Sequence, residues 1–312
     1  TELKKHHPTV EITWLVDHTF AEIPHWHPAI DQVISVPLRH IKKAPSRLQK
    51  WRHLFQTITI IRQQPYDMII DLQGLWKSAL LTSIASGKSM GYNKNSIRDK
   101  HCSPLYNRVF DISKQQHAVL RNKSLLAKSC GYRVDKTWVN YGLNTKNTGR
   151  ENSIMIFHGT TWDNKHYPLP LWIDLIAIIR QHGYKVLIPW GNTAEKARAE
   201  ILANEEGVHI LPKSTLEAIK NQISQVKGAI GVDTGFSHLA AATNTPCVAI
   251  YGPTNPTLAS NFGDRQSYIR ATSTCAPCLK RHCRFNNTED YMQCMHTISP
   301  HVVWEALTDL WQ

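Results

Sequence analysis

The chain has 312 residues, and 42% of them are hydrophobic, which is enough apolar material for two hydrophobic cores. No apolar run approaches 18 residues, so no transmembrane helix is expected. The formal net charge of +12 is unevenly spread. Residues 1–150 hold 23 Lys and Arg against 10 Asp and Glu, whereas residues 151–312 hold 13 against 14. This asymmetry indicates that the first half meets a polyanion.

The densest basic run lies between Asp31 and Asp67, where no acidic residue occurs. A solvated helix face is the ordinary explanation for any single Lys or Arg. A run of seven without an acidic residue favours polyanion binding instead. Its members are Arg39, Lys42, Lys43, Arg47, Lys50, Arg52 and Arg62.

Short strands alternate with helices along the first half of the chain. Pro65 ends the first long helix, and Gly74 turns a buried strand into the next helix. Such alternation is typical of a parallel sheet with helices on its faces. The predicted strands are 11–16, 32–36 and 68–72, and the predicted helices are 48–63, 77–86 and 113–130.

A polar segment centred on 144–149 separates this series from a second α/β series. Ser214 and Glu217 have the spacing of a capping box at a helix start. The second series is predicted as strands 153–157, 185–189 and 208–211 and helices 171–182, 194–204 and 214–225. We predict an α/β fold with two Rossmann-like domains, 1–148 and 149–312, that face a cleft.

The stretch 228–256 is a complete strand–turn–helix–strand unit. Its first strand ends at Val232, and a turn of small polar residues precedes the helix. Free backbone N–H groups and the helix dipole attract an anion at such a turn. Asp233, Thr234 and Gly235 therefore form a candidate phosphate site, with Ser237 as a further hydroxyl donor. The alternative is an ordinary turn in which Asp233 caps the helix.

The run from Asp233 to His238, followed by the run from Tyr251 to Pro256, resembles the signature of the ADP-heptose:lipopolysaccharide heptosyltransferases, glycosyltransferase family 9. The resemblance covers nearly the whole chain. Within the family, the order of other segments is most similar to the members that add the first heptose to the lipid A–Kdo inner core. The resemblance agrees with two Rossmann-like domains in a GT-B architecture.

The function that this resemblance implies is an inverting, metal-independent transfer. L-glycero-D-manno-heptose would pass from ADP-heptose to Kdo of Kdo2-lipid A, at the cytoplasmic face of the inner membrane of a Gram-negative bacterium. One alternative is a later heptosyltransferase of the same family. The other is a non-catalytic protein whose basic half binds acidic lipid or nucleic acid. This alternative gives no reason for the polar loops at 158–165 and 233–238.

The loop from His158 to Lys165 follows a predicted strand and offers two threonine hydroxyls and an ammonium group. These groups suit a diphosphate, although a lone loop Lys is usually just solvated. The resemblance implies that Thr160, Thr161 and Lys165 hold the donor diphosphate and that Lys165 stabilises the leaving ADP. The sequence contains no Asp-x-Asp, so a metal-bound diphosphate is not expected and no cofactor is predicted.

Further donor contacts are predicted at the turns that follow the other strands. Glu195 suits ribose hydroxyls, although from the residues alone a first-turn Glu that complements the helix dipole is the commoner explanation. The resemblance implies the ribose contact. The resemblance places Ser214 near the adenine, and Ser214 is also a candidate N-cap. Asp233 and His238 flank the central turn and can contact sugar hydroxyls or a phosphate.

Acceptor contacts are assigned to the basic half, because arginine forms forked contacts with phosphates and Kdo carboxylates. The segment 113–119 resembles the acceptor side of the family. The candidate acceptor residues are Arg39, Lys42, Lys43, Arg47, Arg98 and His117.

Four cysteines lie close together near the C-terminus, at Cys275, Cys278, Cys283 and Cys294. Four thiolates within twenty residues could hold a structural zinc ion. Their spacing departs from paired CxxC knuckles, so four reduced thiols are an equal alternative.

An inverting transfer needs a general base for the acceptor hydroxyl. In the family this is the Asp of a Gly-Asp pair after the first strand, and no Gly-Asp precedes Glu11 here. We therefore expect that about 20 native residues, including a strand and this Asp, are missing before Thr1. Asp17 and Asp71 lie near strand ends but do not match the motif.

Overall fold

The computed structural model divides into two compact units, Thr1–Gly142 (unit 1) and Leu143–Gln312 (unit 2). The predicted domain boundary between 148 and 149 lies outside the described residues, as do Arg39, Lys42 and Lys43. The structure describes residues 1–38, 46–137, 139–143, 151–204, 206–285 and 293–312.

The strands of unit 1 are β1 (Thr13–Asp17), β2 (Gln32–Val36), β3 (Tyr66–Ile70), β4 (Gly87–Tyr92) and β5 (Arg108–Phe110). Those of unit 2 are β6 (Glu151–Phe157), β7 (Lys185–Ile188), β8 (Val208–Ile210), β9 (Val226–Val232), β10 (Cys247–Tyr251) and β11 (Gln266–Arg270).

The helices of unit 1 are α1 (Glu2–His6), α2 (Glu22–His25), α3 (Arg47–Ile61), α4 (Trp76–Ile84) and α5 (Ala118–Cys130). Those of unit 2 are α6 (Leu169–Gln181), α7 (Thr193–Leu202), α8 (Leu216–Gln225), α9 (Gly235–Ala242), α10 (Pro256–Ala259), α11 (Gln293–His296) and α12 (Pro300–Asp309). No helix in the described ranges is both long and apolar enough to span a bilayer.

Unit 2 contains one six-stranded sheet in the order β11-β10-β9-β6-β7-β8, and every neighbouring pair is parallel. This is the strand order of a doubly wound Rossmann-like sheet. The chain leaves β6 on one side through α6 to β7 and later returns to the other side of β6 with β9. The carboxyl ends of β6 and β9 therefore form the topological switch point, where α/β sheets bind ligands.

The central strands of unit 2 are apolar because helices cover both faces of the sheet. On β6, the residues from 153 to 157 are all buried, and six of the seven residues of β9 are buried. Trp172 on α6 and Trp304 on α12 belong to one large core cluster on the sheet. A second cluster, built around Phe157 and Ile223, packs under α8 and α9.

Unit 1 contains two smaller parallel sheets, β1-β2 and β3-β4-β5. Its core cluster includes Tyr92, Ile97 and Leu125. The pattern of alternating strands and helices is confirmed, and the GT-B fold class agrees with it. Three strands, β4, β5 and β11, were not predicted. β4 reads Gly-Lys-Ser-Met-Gly-Tyr and lacks the β-branched residues that identify strands.

Two helices begin later than predicted. The helix predicted from 113 begins at Ala118, with His117 as its N-cap. The helix predicted from 214 begins at Leu216, and Thr215 is its N-cap, because the Thr215 hydroxyl accepts a hydrogen bond from the backbone N–H of Ala218. The N-cap therefore lies one residue after Ser214, and the predicted capping box does not form, because Glu217 is the second helical residue and not the third.

Candidate active site

A cavity opens at the switch point of the unit 2 sheet and has a volume of about 310 Å³. Its walls come from the segments that follow β6, β7 and β9, so the crossover topology fixes its position. Eight of the nine predicted donor residues line it: Thr160, Thr161, Lys165, Glu195, Asp233, Thr234, Gly235 and His238. Phe157, Gly159, Pro189 and Phe236 complete the wall.

Lys165 and Asp233 form an ion pair at the centre of this wall. The Lys165 Nζ lies 2.6 Å from the Asp233 Oδ2, and both side chains are largely shielded from solvent. The ammonium also lies 4.4 Å from the centre of the Trp162 ring, a cation–π distance. These contacts hold a cationic group in the pocket, where a diphosphate would compete with Asp233 for it.

Asp233 has a second partner that sequence reasoning did not assign. The Thr254 hydroxyl donates to the Asp233 Oδ2 at 2.8 Å, and the Thr160 hydroxyl donates to the Asp233 backbone oxygen at 3.2 Å. Thr254 follows β10 inside the Tyr251–Pro256 run that carried the resemblance. Its place at the end of the strand next to β9 was the signal that could have identified it.

The turn after β9 provides a helix N-terminus. Thr234 is the N-cap of α9 but makes no side-chain capping bond, and Gly235 is the first helical residue. A Cβ at Gly235 would meet no protein atom within 4 Å, so this position faces open space. The arrangement leaves backbone N–H groups available to an anion. Ser237 does not contribute, because it is buried and donates to the Val232 carbonyl at 2.9 Å.

Glu195 lies in the first turn of α7 and reaches the pocket. Its Oε2 accepts from the Gly191 backbone N–H at 2.7 Å, and its Oε1 accepts from the Asn192 amide at 2.8 Å. A Cβ at Gly159 would lie 2.8 Å from the Glu195 carboxyl carbon, so this glycine makes room for the carboxylate. Glu195 therefore stabilises the start of α7, as the alternative interpretation proposed, and it also faces the pocket.

Three histidines near the pocket favour the neutral form. Burial lowers the pKa of His158 to about 4, and the positive charge of Arg198 adds to this effect. Burial likewise lowers the pKa of His166, whose Nδ1 lies 3.2 Å from the His158 backbone oxygen. Desolvation by the pocket walls lowers the pKa of His238, and Asp233 opposes that shift.

Ser214 does not line this cavity; its hydroxyl donates to the Pro212 carbonyl at 2.8 Å. In unit 1, Arg98 is exposed, as an acceptor contact requires. His117 is buried, and its Nδ1 accepts from the Val119 backbone N–H at 3.2 Å, so it has a structural role as a helix cap. The side chain of Arg47 is not among the described groups.

The two aspartates of unit 1 that lie near strand ends are both held by structural hydrogen bonds. Asp71 is buried; its Oδ1 accepts from the backbone N–H of Gln73, and its Oδ2 accepts from the Tyr106 hydroxyl at 2.6 Å. Asp17 accepts from the backbone N–H of Thr19 and caps a short 3-10 helix. These contacts agree with leaving both aspartates out of the catalytic assignment.

The four clustered cysteines line a second cavity of about 30 Å³, together with the buried Asn164 of the donor loop. Burial and the nearby Cys275, Cys283 and Cys278 raise the pKa of the Cys294 thiol to about 11. In the parts of the chain that the structure describes, no group of three or more His, Cys, Asp or Glu side chains is arranged to hold a metal ion. The structural zinc ion stays a prediction, and so do the four reduced thiols.

Residues 279–281, between the clustered cysteines, contact the His158–Lys165 loop and the segment after β10. The Asn164 amide donates to the Lys280 carbonyl at 2.7 Å, and the backbone N–H of Leu279 donates to the Pro253 carbonyl at 2.7 Å. The guanidinium of Arg281 lies 5.4 Å from the centre of the Trp162 ring, which also contacts Lys165.

Comparisons with known proteins identify related chains. The sequence profile described as glycosyltransferase family 9 (heptosyltransferase) matches residues 51–289. Lipopolysaccharide heptosyltransferase 1 of Pseudomonas aeruginosa is 35% identical over 91% of this chain and 81% of its own length. The structure of E. coli heptosyltransferase WaaC with ADP is 32% identical, with a TM-score of 0.86 over 99% of this chain and 92% of that chain.

A second structure of the E. coli enzyme, with ADP-2-deoxy-2-fluoro heptose, gives a TM-score of 0.82 at 32% identity. That match covers 98% of this chain and 92% of the other.

Proposed function

Because the chain belongs to glycosyltransferase family 9, the heptosyltransferases, we propose that it transfers L-glycero-D-manno-heptose from ADP-heptose to Kdo of Kdo2-lipid A. The chain is a glycosyltransferase, and heptosyl transfer in the lipopolysaccharide core is its general activity. The finer proposal is that the transfer inverts the configuration at the anomeric carbon of the heptose and needs no catalytic metal ion. It would occur at the cytoplasmic face of the inner membrane.

The observation that carries the proposal is the cavity at the switch point of unit 2. It brings together a lysine, a helix N-terminus and several hydroxyls, which suit a diphosphate, and a carboxylate, which suits ribose hydroxyls. The similar E. coli enzyme was solved with ADP and with an ADP-heptose analogue, which supports ADP-heptose as the donor here.

In the proposed mechanism, the enzyme stabilises charge on the leaving diphosphate. As the bond to the anomeric carbon breaks, negative charge grows on the ADP phosphate oxygens. The Lys165 ammonium and the N–H groups at the start of α9 lie in the same wall and would bind that charge. Asp233 would be released from Lys165 as the diphosphate takes its place, and it could then accept hydrogen bonds from sugar hydroxyls.

The acceptor is tested by turnover. Purified full-length native protein is supplied with ADP-heptose and a panel of lipopolysaccharide acceptors truncated at successive positions. We expect transfer to Kdo2-lipid A, a product with inverted anomeric configuration by NMR, and full activity in the presence of EDTA. Preference for an acceptor that already carries heptose would identify a later heptosyltransferase instead. Complete loss of activity with EDTA, restored by a divalent cation, would contradict the metal-independent mechanism.

We propose that any zinc would be structural and would lie among Cys275, Cys278, Cys283 and Cys294. In that case purified protein should carry close to one equivalent of zinc, and a chelator should lower its melting temperature. Metal-free protein of unchanged stability would establish the alternative of four reduced thiols.

A further inference from the structure

Helix α3 of unit 1 presents a stripe of large apolar side chains to solvent. Leu48, Trp51 and Phe55 are 80%, 67% and 73% exposed. They stand at i, i+3 and i+7, so they share one helix face over about 10 Å of its length. The packed face of α3 is a different one, since Thr57 and Ile61 are buried. Three large apolar side chains that are exposed side by side on one helix face indicate a binding surface.

The surroundings of this stripe are basic. Arg52 is exposed on the same helix, and α3 lies inside the run from Asp31 to Asp67 that has no acidic residue between its ends. Helix α4, which contacts α3, also exposes Trp76 and Leu80. A helix with Trp, Phe and Leu on one face and basic residues around them is suited to the interface of an anionic membrane.

Two other occupants fit this surface less well. A second copy of the chain, paired through the same patch, would place one basic run against another, and like charges across an interface are unfavourable. A nucleic acid would satisfy the charge and could stack on the aromatic rings, but it offers nothing apolar to Leu48. A bilayer provides acyl chains for all three apolar residues and phosphates for the basic residues.

We propose that the face formed by Leu48, Trp51 and Phe55 docks this enzyme on an anionic phospholipid bilayer. The three side chains enter the boundary between headgroups and acyl chains, and nearby basic residues contact lipid phosphates. The inference rests on the proposed lipid-linked acceptor, because docking would hold unit 1 at the surface in which that acceptor is embedded.

Sedimentation of the full chain with vesicles tests the proposal. The vesicles contain phosphatidylglycerol and phosphatidylethanolamine, and a second set contains phosphatidylcholine alone. The double variant Trp51→Ser/Phe55→Ser should partition into the anionic vesicles at least about tenfold more weakly than the wild type. The matched control is Ile201→Ser, which removes an apolar side chain that is 48% exposed on α7 of unit 2. It should bind as the wild type does.

Melting temperatures equal to that of the wild type show that the variants are folded. Wild-type vesicle binding by the double variant would overturn the proposal, and so would an equal loss in Ile201→Ser. If the double variant keeps vesicle binding but loses binding to an RNA oligonucleotide, the surface binds nucleic acid and the proposal fails. If it keeps vesicle binding but is a monomer where the wild type is a dimer, the surface joins two copies of the chain and the proposal also fails.

Transfer assays separate this inference from the proposed function. With water-soluble, O-deacylated Kdo2-lipid A, the double variant should match the wild-type rate. With acylated acceptor in vesicles, its rate should fall together with its binding. If the wild type uses neither acceptor, the proposed function fails, while the sedimentation result still decides whether α3 docks on lipid.

Discussion

The two units differ in whether the sheet topology brings the candidate site residues together. In unit 2, six parallel strands form one sheet, and residues from three separate loops meet at the carboxyl ends of β6, β7 and β9. In unit 1, the described strands form a pair and a triplet, and Trp14, Leu15 and Met68 on β1 and β3 are exposed. The two candidate acceptor residues whose side chains the structure describes differ: Arg98 is exposed, whereas His117 is buried as a helix cap.

This difference shows under what condition the position of a sequence motif in the fold can be predicted. In a doubly wound sheet, the loops that follow the strands on either side of the switch point must meet at one edge. The donor residues are therefore brought together by the crossovers, whatever the details of side-chain packing. The basic residues of unit 1 share only a charge, and charge alone sets neither position nor partner.

The largest expected effect of a substitution is at the ion pair of unit 2. Lys165→Ala removes a partly desolvated cation from the diphosphate site, a loss of about 2–4 kcal/mol. ADP affinity, measured by calorimetry, should fall at least about tenfold with the fold intact. Asp233→Ala should lower the rate of transfer at least about tenfold. Lys196→Ala removes an exposed lysine of α7 and serves as the control; wild-type ADP binding by Lys165→Ala would contradict the donor assignment.

The second prediction concerns pH and the core of unit 2. The pKa of folded His158 is lowered to about 4, below its ordinary value of 6.5, so the unfolded chain binds a proton first as pH falls. The stability that neutral His158 contributes is present above pH 6.5 and is lost between pH 6.5 and 4. Between pH 7 and 5 this loss amounts to about 2 kcal/mol.

Urea unfolding across that pH range measures the effect. The variant His158→Asn cannot titrate there and should show a correspondingly smaller dependence of unfolding free energy on pH. His209→Asn, an exposed position on β8, should behave as the wild type. Identical pH dependence in His158→Asn and the wild type would show that His158 is not held neutral by burial.

The third prediction tests whether the basic run of unit 1 serves the acceptor alone. Reversing Lys42 and Lys43 to Glu should raise the KM for acceptor by about tenfold or more, since each basic residue near an anionic surface contributes about 1 kcal/mol. ADP affinity should hardly change. The effect should shrink as salt rises, because exposed charges are screened over about 8–10 Å at physiological ionic strength. Equal losses for donor and acceptor would indicate a folding defect.

The smallest expected effect is at Gly235. A Cβ there meets no protein atom, so Gly235→Ala should leave the melting temperature unchanged or slightly raised. The methyl group would occupy the space in which a phosphate approaches the start of α9, so ADP should bind several-fold more weakly. Gly191→Ala probes the ribose side of the pocket instead, because a Cβ at Gly191 would lie 3.3 Å from the Glu195 carboxylate. Unchanged ADP affinity in Gly235→Ala would move the diphosphate away from this turn.

The sequence by itself determined the α/β alternation and the two series of elements, because apolar runs, prolines and glycines act locally. It also placed Thr160, Lys165, Glu195, Asp233 and Gly235 in loops after strands. The strand β9 was predicted to end at Val232, and it does. Local signals were weaker at helix starts, where Ser214 and Thr215 are both good caps and only the backbone geometry selects Thr215.

Only the tertiary structure decided which of these groups touch. Lys165 and Asp233 are 68 residues apart in sequence, and no local pattern specifies the 2.6 Å contact between them. Nor does a local pattern specify the hydrogen bond from Thr254 to Asp233, the approach of both Lys165 and Arg281 to the Trp162 ring, or the burial of His117. The physical reason is that these contacts depend on sheet order and on packing across crossovers. Propensity and spacing describe one segment at a time and carry no information about its neighbours in space.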